Sequence, residues 1–370
     1  MSHLIRSITK NKIIVSAFLL MTASLNILKA QDTTHTGKLT VSGYAELYYG
    51  YDLNDPANHT RPSFVYSYNR TNEVDLNLGF IKAAYSNDLV RANLAFMAGS
   101  YTNANLASEP GVLKNIYEAN AGVKLSKGTD LWLDAGVFAS HIGYESAVGK
   151  DCWVVTRSIV SDNTPYYEAG AKLTYNTPDG KFTATLLYLN GWQRMQREDG
   201  NSKPAGGVQL TWKAADFITL NYSNYLGSQG ADSVGVVRFY NDFYAMMQLS
   251  KKFGLIAGLD YGTQQRWHGS NNTIYVLAPS LIGRYAFNSQ WALAGRVEYY
   301  KDPNEMIIQV ANPNGFSTWG YSMNIDYSPY QNVVLRLEGK TWSSANNIFY
   351  KGTTPVSTNP LMTAALAVSF

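Results

Sequence analysis

Four histidines follow residue 30: His35, His59, His141 and His268. Only His141 stands beside a serine, as Ser140–His141 near the end of an alternating stretch. Neighbouring strand residues point to opposite faces, so these two cannot act on each other as nucleophile and base. A serine or carboxylate from an adjacent strand would have to complete such a site. Cys152 is the single cysteine, which excludes an intramolecular disulfide. No His/Cys spacing fits zinc and no calcium-loop pattern occurs. The residue types therefore predict no enzyme, no metal and no cofactor.

What remains is charge at period-two spacing. Arg296 and Glu298 form one such set, Arg336, Glu338 and Lys340 a second, and Arg284 stands near them in sequence. Glu46, Asp134, Glu168, Lys172, Asp260 and Asp326 have the same placement. Each alternates with apolar neighbours, as in "VVLRLEGKTW", where Val333, Leu335 and Leu337 oppose Val334, Arg336, Glu338 and Lys340. "WGYSMNIDY" likewise sets Trp319, Tyr321, Met323 and Ile325 against Gly320, Ser322, Asn324 and Asp326. This is strand alternation with one apolar and one polar face.

Applied along the chain, the same pattern predicts an all-β fold of about sixteen strands, within a range of about 14–18. Expected starts are Leu39, Asn72, Val90, Ile116, Asp130, Tyr166, Lys181, Pro204, Phe217, Val237, Gly254, Ile274, Gln290, Ser317, Asn332 and Pro360. Pro279 falls inside the twelfth and predicts a bulge or interruption, because it removes a ladder donor.

The connections sort by parity. Long ones, at 52–71, 102–115, 142–165, 193–203, 229–236, 267–273, 302–316 and 345–359, alternate with short turns such as "SNDL", "TPDG" and "SKKF". A closed antiparallel transmembrane barrel has short periplasmic turns and long external loops. Aromatics follow suit: Trp212, Phe217, Phe253, Phe287 and Trp291 stand by short turns. Tyr51, Tyr101, Tyr117, Tyr167, Trp192, Trp319 and Trp342 stand by long loops. They are read as two interfacial girdles.

Residues 1–30 have Arg6, Lys10 and Lys12 before an apolar run from Ile13 to Met21, then small residues. That is the layout of a secretory signal, with cleavage expected after Ala30, a cut after Ala23 being the alternative. Residues 31–38 then form a short periplasmic segment and 39–370 the barrel. The first thirty residues hold four of the 30 Lys+Arg and none of the 27 Asp+Glu, leaving 26 against 27, a net charge near −1. That balance removes the electrostatic argument for nucleic-acid binding.

Several stretches, among them "FASHIGYESAVGKDCWVVTRSIVSDNTPYYEAGAKLTY", "LLYLNGWQRMQR" and "GLDYGTQQRW", resemble the OmpL-like β-barrel porins of Gram-negative outer membranes. The resemblance runs from Gly37 to Phe370 and implies a pore and an outer-membrane location rather than a named substrate. Phe370 resembles the final aromatic residue read by the barrel-assembly machinery, with the last strand pairing to the first. Outer-membrane lipids and small hydrophilic solutes are the other implied partners; a homotrimer is left open. The third long segment resembles the constriction loop of general porins by rank and length. It offers Glu145, Lys150, Asp151, Arg157 and Asp162 as eyelet charges, the alternative being a surface loop folded outward. The wall charges Arg284, Arg296, Glu298, Arg336, Glu338 and Lys340 would either set ion preference or brace the wall as ladders.

The expected function is passive diffusion of small hydrophilic solutes. The alternatives are an occluded barrel acting as receptor, adhesin or structural protein, and a barrel hydrolase.

Overall fold

The computed structural model describes residues 37–370; the expected signal peptide and most of the short segment after it lie outside them. Sixteen strands close into one antiparallel barrel. In chain order they are β1 Lys38–Asp52, β2 Val74–Ser86, β3 Val90–Ala98, β4 Ile116–Lys124, β5 Asp130–Ala139 and β6 Tyr167–Asn176. Next come β7 Phe182–Leu189, β8 Ala205–Ala215, β9 Ile218–Gln229, β10 Val236–Gln248 and β11 Phe253–Gln265. The circuit continues with β12 Thr273–Ala286, β13 Trp291–Asp302, β14 Phe316–Tyr330 and β15 Val333–Ser344. A small hairpin, β16 Phe349–Lys351 and β17 Thr354–Val356, interrupts the last long loop, and β18 Thr358–Ser369 returns to pair with β1. Alternation gives no sign of this hairpin, since three-residue strands carry no periodic signal.

Alternation decides which face meets lipid. On β14, Trp319, Tyr321, Met323 and Ile325 are all at least 40% exposed, while Thr318, Ser322, Asn324 and Asp326 are at most 9% exposed. Burying every backbone bond between neighbours and closing the circuit removes the open edge that hydrocarbon cannot satisfy. The closure is direct: Tyr44 to Asp52 of β1 face Ser369 to Leu361 of β18. Beyond the ladder, Gly43 N–H donates to the Phe370 carbonyl at 2.7 Å and Phe370 N–H to the Gly43 carbonyl at 3.0 Å. The Phe370 ring fills the space where any β-carbon at Gly43 would stand.

Two expectations need correction. Pro279 causes no bulge: β12 runs unbroken, and Leu259 of β11 pairs with Pro279 in regular register. On the β13 side, pairing passes from Leu277–Lys301 to Ser280–Glu298 without a register shift, so the missing donor costs only the rungs between. Several girdle aromatics by the long loops also face inward. Trp342, Tyr101 and Tyr167 are buried, and Trp192 packs edge-on against Tyr225 and Tyr240. Trp342 has the parity of Glu338 and Lys340, and proximity to a loop does not override strand parity.

These inward rings meet apolar residues from the loops. Phe64 of the first long loop (53–73), Met306 and Ile308 of the seventh (303–315), and Phe349 join Tyr300, Phe316, Trp342 and Leu361 in one buried cluster. The Phe64 ring stands 5.0 Å from Phe316 and 5.3 Å from Trp342. The long-loop end of the barrel is thus packed with an apolar core that also takes in Phe138, Leu187, Tyr225, Tyr240 and Val276 from β5, β7, β9, β10 and β12.

Candidate functional site

The third long loop (140–166) enters the lumen and runs down its wall. Ser140 N–H donates to the Tyr166 carbonyl at 3.0 Å, pinching the neck where β5 ends and β6 begins. Within the loop a one-turn helix, Ile159–Asp162, is capped by Ser158. Glu145 accepts from the Ser158 amide at 2.8 Å and from its hydroxyl. Arg157 donates to three loop carbonyls, Ser146, Val155 and Ala147, at 2.7–3.2 Å. Burial pushes the Glu145 carboxyl up, but the Arg296 and Arg157 charges beside it outweigh that and hold it low, so it stays ionised.

The barrel charges hold this loop by its backbone. Arg296 donates to the carbonyls of Thr156 at 2.8 Å and Arg157 at 3.0 Å. Lys340 Nζ donates to the same Arg157 carbonyl at 2.9 Å. Glu338 accepts from Thr156 N–H at 2.9 Å, and Glu298 accepts from Ile159 N–H. Arg336 donates to the carbonyls of Gly149, Cys152 and Trp153 at 2.9–3.0 Å while holding Asp326. All five wall residues are at most 5% exposed. They point inward as alternation requires, but the loop covers them, so they border no open water. Arg284, half-buried, stands lower on β12 opposite Gly254.

Loop 140–166 reaches the far rim. Lys150 N–H donates to the Tyr44 hydroxyl at 3.2 Å, and its Nζ reaches Ser369 Oγ at 2.8 Å, on the last rung of the β1–β18 ladder. Trp153 covers Gly254, where a β-carbon would strike its ring. Of the five eyelet candidates, Glu145, Arg157 and Asp162 are buried, Lys150 is half-buried, and Asp151 is exposed. Asp162 ties this loop to the first by accepting from Ser67 Oγ at 2.9 Å; burial raises its pKa to about 6. Burial likewise pushes the Cys152 thiol up to about 11, which keeps it protonated and unreactive.

The opposite wall is different. On β2–β5, Lys82 pairs with Glu118 at 2.6 Å and Arg91 pairs with Asp134. The side chains of Lys82, Arg91 and Lys124 keep 27%, 34% and 23% of their surface open. Sequence alternation missed Lys82, Arg91 and Glu118. "GFIKAAYS" offers only weak contrast, and a bulge between Ala95 and Phe96 shifts the partner parity on β4. The inward position of Arg91 between lipid-facing Val90 and Ala92 was the available signal.

The Ser140–His141 pair has no catalytic geometry. Ser140 Oγ accepts from Ile142 N–H at 3.1 Å. His141 Nε2 lies 2.7 Å from the Asn224 carbonyl, so Nε2 carries the hydrogen; Nδ1 is buried with no partner among the described residues. Burial keeps the ring neutral, lowering its pKa to about 4. No hydroxyl reaches the nitrogen that could act as base.

Known proteins with this architecture are outer-membrane barrels. The chain is similar to the anion-selective porin from Comamonas acidovorans, with TM-score 0.60 and 9% identity over 90% of this chain and 100% of that one. It is also similar to the outer-membrane expressed OmpT of Vibrio cholerae, with TM-score 0.59 and 11% identity over 92% and 99%. The outer membrane channel DcaP of Acinetobacter baumannii gives TM-score 0.57 and 11% identity over 92% and 99%. No curated relative matches. At these identities the likeness carries the fold, and the sequence itself carries the family. Residues 38–370 match the family described as "Putative beta-barrel porin-2, OmpL-like", and the chain belongs to that family of porin-like outer-membrane barrels.

Proposed function

We propose that the protein is a passive diffusion channel for small hydrophilic solutes in the Gram-negative outer membrane. The observation that carries this reading is the uneven burial of inward basic groups around the barrel. Charges on β13–β15 are sealed under loop 140–166, whereas Lys82, Arg91 and Lys124 opposite keep a quarter to a third of their surface open. In this reading the solute passes Lys82, Arg91 and Lys124, clear of the apolar cluster that joins Ala147 and Val148 of the loop to Leu78, Met97 and Tyr167. Sixteen strands leave a lumen wide enough for water, and the loop narrows it to one polar lane of mixed sign. Export would use the N-terminal signal ending at Ala30, which N-terminal sequencing of the mature protein checks. A trimer form is on record for OmpT of Vibrio cholerae; a homotrimer here is read out by native electrophoresis after cross-linking.

A second reading has its own observation. The apolar cluster of Phe64, Met306, Phe349 and Trp342 at the long-loop end favours a barrel stoppered by its loops, serving as receptor or adhesin. Planar-bilayer recording separates the two. A channel shows steady single-channel steps that grow when residues 143–163 are replaced by a short Gly/Ser turn. Wild-type protein without steps, opening only on that replacement, would favour the stoppered barrel.

A further inference from the structure

On the wall formed by β2–β6, inward charges stand in matched pairs with one left over. Lys82 Nζ lies 2.6 Å from Glu118 Oε2, and Lys124 Nζ lies 3.5 Å from Asp130 Oδ1. Arg91 takes both oxygens of Asp134, its Nε donating to Oδ1 at 2.6 Å and its Nη2 to Oδ2. The same guanidinium lies 4.3 Å from the centre of the Trp132 ring, which helps hold it in that pose. Each of these basic groups thus has its own carboxylate.

Lys172 has none. Asp134 is its register partner across β5 and β6, but Arg91 already occupies that carboxylate. Lys172 forms no ion pair among the described residues. Its Nζ stands 4.7 Å from the centre of the Phe138 ring, a contact that holds an ammonium without neutralising it. The side chain is half-buried and Nζ stays open to the lumen. Two further carboxylates of these strands are placed elsewhere. Asp75 lies near Arg70 of the first long loop, and Glu168 is sealed at 0% exposure with neither oxygen partnered. A carboxyl buried in that way gives up its charge. Lys82, Arg91, Lys124 and Lys172 against Glu118, Asp130 and Asp134 therefore leave one net positive charge on this wall.

We propose that Lys172 is the specificity-determining residue of the lumen, an ammonium that attracts small inorganic anions such as chloride and phosphate while the matched pairs favour neither sign. A narrow passage with low-dielectric walls focuses the field of a single unmatched charge. An anion is a stronger partner for an ammonium than an aromatic face, so it draws Nζ away from Phe138. The site rests on the reading of the β2–β6 wall as the open one, but anion binding at Lys172 does not require that ions cross.

Reversal potentials of the purified full-length protein in planar bilayers under a KCl gradient give the chloride-to-potassium permeability ratio. The wild-type ratio is expected above one, with K172Q lower by about twofold or more and K172R, which keeps the charge, close to wild type. A wild-type ratio at or below one overturns the proposal, as does a K172Q ratio equal to wild type. The second readout needs no ion to cross: reductive methylation of the wild-type protein with formaldehyde and dimethylamine–borane, followed by peptide mass mapping. Lys172 should be modified faster than Lys82, whose amine is held by Glu118. Sodium phosphate should slow Lys172 by about twofold or more and leave Lys82 unchanged, because only Lys172 offers phosphate an unmatched charge. Equal slowing of both lysines, or of neither, overturns the proposal. Phosphate protection of Lys172 in a barrel that passes no ions refutes the channel reading and keeps the anion site. Steady conductance steps with neither protection nor a K172Q effect do the reverse.

Discussion

Thr156 and Glu338 are 182 positions apart, and the Thr156 amide donates to Glu338 Oε2 at 2.9 Å, both groups buried. A strand carboxylate takes the place of a backbone partner that loop 140–166 cannot find within itself. Repeated at Glu298, Arg296, Arg336 and Lys340, this makes the loop a fixed part of the wall.

Arg296→Met is the sharpest test of that role. It removes the donor to two loop carbonyls and leaves Glu145 and Glu298 buried beside an apolar side chain. Breaking a buried ion pair this way costs about 3–5 kcal/mol. The expected result is a lower thermal midpoint together with larger, flickering conductance steps. Unchanged steps at an unchanged midpoint would show that Arg296 does not hold the loop.

Seating of the loop tip depends on Gly149. A β-carbon there would overlap Glu46 Oε1 and the Tyr68 hydroxyl, which is itself bonded to Glu46 at 2.6 Å. Gly149→Val should displace the tip and speed protease cleavage within 143–163, while the strand content seen by circular dichroism stays constant. Equal cleavage rates for variant and wild type would contradict the tight fit.

Ion preference should follow exposure. Arg91 keeps about a third of its side-chain surface open, whereas Lys340 keeps 2%. Arg91→Ser is expected to shift the reversal potential toward cations, on the order of a twofold change in permeability ratio. Lys340→Met should shift it far less, its effect appearing as loop instability. The opposite ranking would place the solute path on the β13–β15 side.

Acid should act on Asp162 and His141 in opposite senses. The Asp162 pKa is raised from 3.8 to about 6, so its contribution is fully present below pH 4 and fades as pH rises through 6. The His141 pKa is lowered from 6.5 to about 4, so its contribution is present above pH 6.5 and is lost as pH falls through 4. Relative to wild type, Asp162→Asn should therefore gain stability as pH rises from 4 to 6, and His141→Gln should lose it. Thermal midpoints at pH 4, 5 and 6 read both slopes, and slopes identical to wild type would refute the assignment.

The strands were legible because lipid on one side and a polar interior on the other impose period two on every span. All sixteen expected starts fall within two residues of the observed ones, from Lys38 to Thr358. Pro279 and Trp342 mark where local signals misled: a missing donor cost only the rungs beside Pro279, and parity outranked proximity to a loop for Trp342. Loop 140–166 stood out by its length and by its rank as the third long segment.

By itself, the amino-acid sequence determined the all-β barrel, the family and the inward face of the charges on strongly alternating strands such as β13 and β15, since these depend on periodicity and residue type along the chain. Only the tertiary structure decided which inward charges are covered and which stay wet. Arg296 and Arg91 have the same parity on their strands, yet Arg296 is sealed and Arg91 is not, because contact with a distant loop is a three-dimensional fact with no periodic trace.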